Sequence, residues 1–232
     1  MKKIINFIKL STIFILILFI IFSFLYYLFQ TIESKNLRLQ KAIQQMKVQK
    51  EKRENYQEQD QKLGVFVKQL MIEVKTDLSP MNRNIIAQMI VRVGNSIFNK
   101  QEHKYEFATL LAIESKFKNN SKSNAGAVGI AQIMPKYANE FADLCGLKLA
   151  KGDIYNTEIN MILGACQFRA LLEHPTINDN VSAALVAYNA GKNSKSFRQL
   201  IGLENIDNTE TASYPTKFNY LKEKATQKIR SK

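Results

Sequence analysis

Apolar residues are spread unevenly along the chain, and the changes in their spacing mark its organisation. Leu10 to Phe29 is an uncharged run of 20 residues, nearly all Ile, Leu or Phe. That is about the ~20 residues needed to cross a hydrocarbon layer as a helix. Residues 31–62 turn polar and helix-prone, without Gly or Pro, and only Leu39, Ile43 and Met46 make a short apolar stripe. The stripe is too brief for a sustained coiled coil and predicts a helical stalk, with weak dimerisation open to its first half. Apolar spacing returns at Leu63 in "LGVFVKQLMIEV", which either closes the stalk or opens the next domain. Ser79–Pro80 predicts a helix start, with Ser as N-cap and Pro in the first turn. Ile85, Ile86, Met89, Ile90, Val93 and Ile97 follow as its core face. Further helices are expected from about Glu106, from Pro135 through Cys145, over 157–173 and 180–191, and from Tyr214 to the end. The stretch 118–129, rich in Asn, Ser and Gly, reads as loop. Strand patterns are nearly absent, so the chain is expected to be mainly α: 1–30 N-terminus and membrane anchor, 31–77 polar stalk, 78–232 one helical domain.

One residue breaks this pattern. In "TLLAIESKF" (109–117), Glu114 shares a helical face with Phe107, Leu110 and Leu111. No Lys or Arg lies on that stripe. An apolar face disfavours the charged carboxylate and raises its pKa. A carboxyl protonated near neutral pH can donate a proton to a departing oxygen, which an ordinary Glu, with a pKa of about 4.3, cannot. The alternative is a solvated glutamate at a helix end.

Charge and cysteines refine the picture. Lys2, Lys3 and Lys9 precede the apolar run, so the positive-inside rule places the N-terminus in the cytoplasm and the chain after Gln30 outside it. The run ends in aromatic and large aliphatic residues rather than a small-x-small cleavage site, which favours an uncleaved anchor over a signal peptide. The formal net charge is +13. It is spread over both parts of the chain and reads as a Lys-rich surface. With no zinc-ligand spacing and an export topology, nucleic acid is not an expected partner. Outside the cytoplasm Cys145 and Cys166 can pair, or both can be buried thiols; the two readings stand level. His103 and His174 read as surface residues.

Four short motifs then occur in order: "ESKF" (114–117), "GIAQIMP" (129–135), "AYNAG" (187–191) and "ETASY" (210–214). Together they resemble the soluble-lytic-transglycosylase-like (SLT) family, whose lysozyme-like domain cleaves peptidoglycan. Ile130 and Ala131 replace the family's usual Leu-Met, and the smaller Ala131 is expected to widen the site. Pro215 follows Tyr214 where the family often has Val.

The resemblance implies Glu114 as single general acid and base, with Ser115, Gln132, Tyr188, Asn189, Glu210 and Tyr214 as substrate-binding residues. It implies cleavage of the β-1,4 bond between N-acetylmuramic acid and N-acetylglucosamine with formation of a 1,6-anhydro product, and neither metal nor organic cofactor. A muramidase on the same fold, and a non-catalytic glycan-binding module of an envelope machine, are the competing readings. The partners implied are peptidoglycan glycan strands, the membrane through the N-terminal helix, and secretion, conjugation or division machinery. The location expected is the inner membrane, single-pass, with the catalytic domain on the periplasmic side.

Overall fold

A computed structural model describes residues 2–190 and 213–231. The chain divides into two compact units, 1–58 and 59–232. α1 (Lys2–Glu73) runs through the first unit. From Phe14 to Phe29 its large apolar side chains are exposed, and so are Ile32, Leu39, Ile43 and Met46 further along. The helix is long and apolar enough to cross a membrane, a criterion that a signal sequence also meets.

The second unit is helical, and among its described residues β-structure is limited to the isolated bridges Lys122–Val128 and Val128–Ile133. It begins with the last turns of α1. Leu63, Phe66, Val67, Leu70 and Met71 are all buried. Their i, i+3/i+4 spacing makes one stripe that faces the core. Packing therefore starts at this stripe rather than at residue 78.

α2 (Pro80–Ile97) opens as its sequence suggests: Ser79 accepts from the Asn82 amide and Pro80 occupies the first turn. Ile86, Ala87, Ile90 and Val93 are buried, but Ile85 is 40% exposed. At about 100° per residue Ile85 turns off the face that Ile86 and Ile90 share.

α3 (Gln101–Ser115), α4 (Ala138–Leu144), α5 (Thr157–Leu172), α6 (Val181–Ala190) and α7 (Tyr214–Arg230) follow. The helix expected from Pro135 starts with a 3-10 turn, Pro135–Tyr137, before α4. Pro215 lies in the first turn of α7, where its missing N–H costs nothing.

α5 is the central element, packed against α2, α4 and α6. Phe107, Phe98, Phe168 and Tyr188 form, in that order, a chain of ring contacts with centroids 5.5, 6.2 and 6.4 Å apart, joining α3, the end of α2, α5 and α6. Each fully buried Phe is worth roughly 1.5–3 kcal/mol over leaving it in water. Cys145 and Cys166 form a disulfide with Cα atoms 5.9 Å apart, tying the end of α4 to α5.

Candidate active site

α3 ends just beyond Glu114 for a local reason. Lys116 and Phe117 both take left-handed backbone, with φ of 53° and 67°. Such angles cost non-glycine residues about 1–3 kcal/mol each unless the surroundings impose them. Phe117, 0% exposed, supplies that constraint by burying its ring. The chain turns away sharply, and Glu114 is left, partly buried, in the last turn of a largely buried helix.

No cation lies within ion-pair distance of Glu114 among the described residues. Among the described residues its hydrogen-bond partner is Tyr214 at the start of α7, whose hydroxyl donates to Oε1 at 2.5 Å. Burial pushes the Glu114 pKa up to about 7, and the Tyr214 hydrogen bond only partly opposes this. The negative end of the α3 dipole acts in the same direction as burial. Tyr214 and Tyr188 are themselves held well above the usual phenol range, first by burial and then by the Glu114 charge. Both hydroxyls therefore keep their protons.

The segment 128–134 lies beside this helix end. Val128 and Ile133 exchange backbone hydrogen bonds at 3.0 and 2.9 Å, closing a tight loop. Ser115 donates to the Ile130 carbonyl at 2.7 Å, and Tyr188 donates to the Ala131 carbonyl at 2.8 Å. Gln132 adopts φ 52°, and its side-chain amide donates to the Gly129 carbonyl at 2.8 Å. Both hydroxyls bond to the loop backbone, while Gln132 is partly exposed and Asn189 is exposed. The structure thus gathers Glu114 with Tyr214, and Ser115 with Tyr188 and Gln132 around one loop. Glu210, like the rest of residues 191–212, lies outside the described residues.

Ala131 does not widen a cleft. It is 0% exposed, and a Cβ placed on Gly164 would come within 2.4 Å of its own Cβ. Its small side chain is the one that fits against α5.

Two residues absent from the sequence-based set emerge here. Asn160 is fully buried, accepts from the Ala131 amide at 2.9 Å and donates to the Val128 and Ile154 carbonyls at 3.0 and 2.9 Å. Gly164 lies one turn further along α5. The signal was available: Asn160 in "EINMILGAC" is a polar residue on an apolar helix face, as Glu114 is.

The histidine reading needs correction. His103 is 13% exposed in its side chain, with Nδ1 2.8 Å from Glu106 and Nε2 2.9 Å from Asp179. Glu106 is buried and also pairs with Lys222 at 2.9 Å. Asp179 pairs with Lys100 as well. Asp179 and Lys222 lie far away in sequence, so local spacing did not show them; Glu106 is only three residues from His103. His174 is partly exposed, and its Nδ1 accepts from the Thr176 amide.

A family model and a solved structure are each similar to part of this chain. The family model described as Transglycosylase SLT domain matches residues 96–201, which span Glu114, the 128–134 loop and Tyr188. Residues 96–201, less than half of the chain, are therefore similar to an SLT domain. Among solved structures, the chain is similar to an inactive mutant of lytic transglycosylase Slt from Pseudomonas aeruginosa, with 23% identity and a TM-score of 0.49. The similarity covers 65% of this chain and 25% of that one, so this chain spans about a quarter of its length. No curated protein matches.

Proposed function

We propose that the chain, similar to an SLT domain over residues 96–201, is a membrane-anchored peptidoglycan lytic transglycosylase in which Glu114 is the single acid and base. The observation that carries this reading is a buried carboxyl at the end of α3 whose pKa lies at about 7. At that value comparable populations of acid and base coexist near neutral pH.

In the first step the Glu114 carboxyl gives its proton to the bridging oxygen as the bond from the muramyl C1 breaks. The substrate acetamido group stabilises the oxocarbenium-like centre. In the second step the Glu114 carboxylate takes the proton of the muramyl 6-hydroxyl, whose oxygen bonds to C1. Glu114 ends in its starting protonation state, and the product is a 1,6-anhydro sugar. Ordinary glycosidases employ two carboxylates. Glu106 is taken up by His103 and Lys222, which favours one residue serving both steps.

The Tyr214 hydroxyl orients the carboxyl and, by favouring its charged form, eases release of its proton in the first step. Ser115 and Tyr188 shape the loop, while Gln132, Asn189 and Glu210 are assigned to the sugar by the family resemblance. The catalytic domain in this reading begins at residue 59 and includes the buried end of α1. The apolar part of α1 anchors it, with the N-terminus in the cytoplasm and the domain in the periplasm or on the wall side. It would cut wall close to the membrane, in the service of secretion, conjugation or division machinery.

The test is digestion of purified sacculi by the full-length protein in detergent micelles, with Glu114→Gln in parallel. Mass spectrometry is expected to show fragments ending in 1,6-anhydro-muramic acid, reduced by at least about 10³-fold in the variant. Fragments heavier by one water would make the protein a muramidase. Glycan binding without release would make it a binding module.

A further inference from the structure

Asn160 carries a cost that its position in the core does not explain. An unpaired buried amide costs on the order of 1–3 kcal/mol in a protein interior. This one is satisfied entirely by the backbone of other segments: it takes the Ala131 N–H and gives to the Val128 and Ile154 carbonyls. One acceptor and two donors are used together, a combination that only a carboxamide offers at this size. Glycines close the fit on both sides. A Cβ on Gly129 would lie 2.4 Å from the Asn160 amide, and one on Gly164 would lie 2.4 Å from Ala131 Cβ and 2.9 Å from the Tyr188 hydroxyl. α5 is thus a template onto which residues 128–131 are pressed.

The far side of that segment touches the candidate site. Its Ile130 carbonyl takes the hydroxyl of Ser115, the neighbour of Glu114 in the chain. Its Ala131 carbonyl takes the hydroxyl of Tyr188, a phenol near enough to feel the Glu114 charge. A displacement of 128–131 would therefore pull on two side chains beside the carboxyl.

We propose that Asn160, with Gly164 beneath the same segment, is a positioning residue that sets how tightly protein encloses Glu114. It acts through the loop and through Ser115 and Tyr188, without touching substrate. The inference rests on the reading of Glu114 as the acid.

The experiment uses the full-length protein in micelles and the variants Asn160→Asp and Gly164→Ala. Asp keeps the acceptor for the Ala131 N–H but loses at least one donor bond. Gly164→Ala keeps the Asn160 carboxamide itself and displaces the segment from below, so it serves if the first variant folds poorly. Three quantities are measured: kcat and KM on soluble glycan strands, Tm, and the midpoint of the Glu114 carboxyl by carbon-13 NMR, assigned through its loss in Glu114→Gln.

The expected result is a kcat lowered roughly 10- to 100-fold with little change in KM. The Glu114 midpoint moves down from about 7 towards the ordinary carboxylate range as water enters. A lower Tm with the midpoint and the kcat of folded protein unchanged would reduce Asn160 to a core brace and overturn the proposal. A shifted midpoint in a protein that never turns over glycan would uphold the positioning role and defeat the reaction assigned to Glu114.

Discussion

Glu106 and Glu114 leave the same helix two turns apart, and both are enclosed by protein. Around Glu106 the fold places an ammonium and an imidazole: Lys222 at 2.9 Å and the His103 ring at 2.8 Å. Around Glu114 the described residues supply a phenol and no charge, and burial pushes its pKa up to about 7. The residue type and the helix are the same. The difference lies in whether the surroundings compensate the charge, and that separates a structural carboxylate from one suited to proton transfer.

The sharpest way to break this contrast is to neutralise each residue in turn. Glu114→Gln is expected to abolish turnover while the protein stays folded. Glu106→Gln is expected to leave turnover of the folded protein intact and to lower stability by about 2 kcal/mol, because Lys222 and His103 lose their partner in a partly buried site. Thermal melts beside activity assays separate the two. A Glu106→Gln protein that melts normally but is inactive would invert the assignment.

A finer test lies in the pH dependence of stability. The folded-state pKa of Glu114, about 7, is above the value of about 4.3 expected in the unfolded chain. The folded state therefore binds the proton more tightly. That advantage is complete below pH ~4.3 and is lost as pH rises through ~7. Glu114→Gln cannot lose it, so at pH 8 the variant should be more stable than the parent by up to about 3 kcal/mol, and at pH 4 about equal to it. Chemical denaturation at both pH values measures the difference. Equal stability at pH 8 would mean that Glu114 pays no burial cost.

The smallest effect expected is that of Tyr214→Phe. The tyrosine hydroxyl favours the charged carboxylate, so its removal should move the alkaline limb of the pH–rate profile to higher pH. A limb that moves down, or not at all, would show that Tyr214 does not govern the carboxyl.

How much of this was legible beforehand depends on the range of the interaction. The helices rest on periodicity, and Ser79–Pro80, the apolar face of α2 and the oddity of Glu114 are all local signals. Ile85 misled because it adjoins an apolar face without lying on it. The apolar stripe from Leu63 to Met71 was visible, but an amphipathic helix does not say what it packs against. The pairs that build the site are distant in sequence: Tyr214 with Glu114 across 100 residues, Tyr188 with Ala131 across 57. The Lys222–Glu106 pair spans 116. Motif resemblance could name several of these residues, but not which hydroxyl would meet a carboxyl and which a backbone carbonyl. Ala131 shows the same limit, since only the structure reveals Gly164 beneath it.

The bond between Cys145 and Cys166 gives the domain a dependence on its chemical surroundings. It closes a loop of about 20 residues, a constraint worth about 3 kcal/mol against the unfolded chain. Its inner end is on α5, the helix that presents Asn160 and Gly164 to the loop beside Glu114. In a glutathione-rich cytosol the thiols stay reduced, and in an oxidising compartment they join. A chain still on the reducing side would lack the staple on the template for its own site. The cross-link therefore ties the full rigidity of that site to the compartment in which the chain matures.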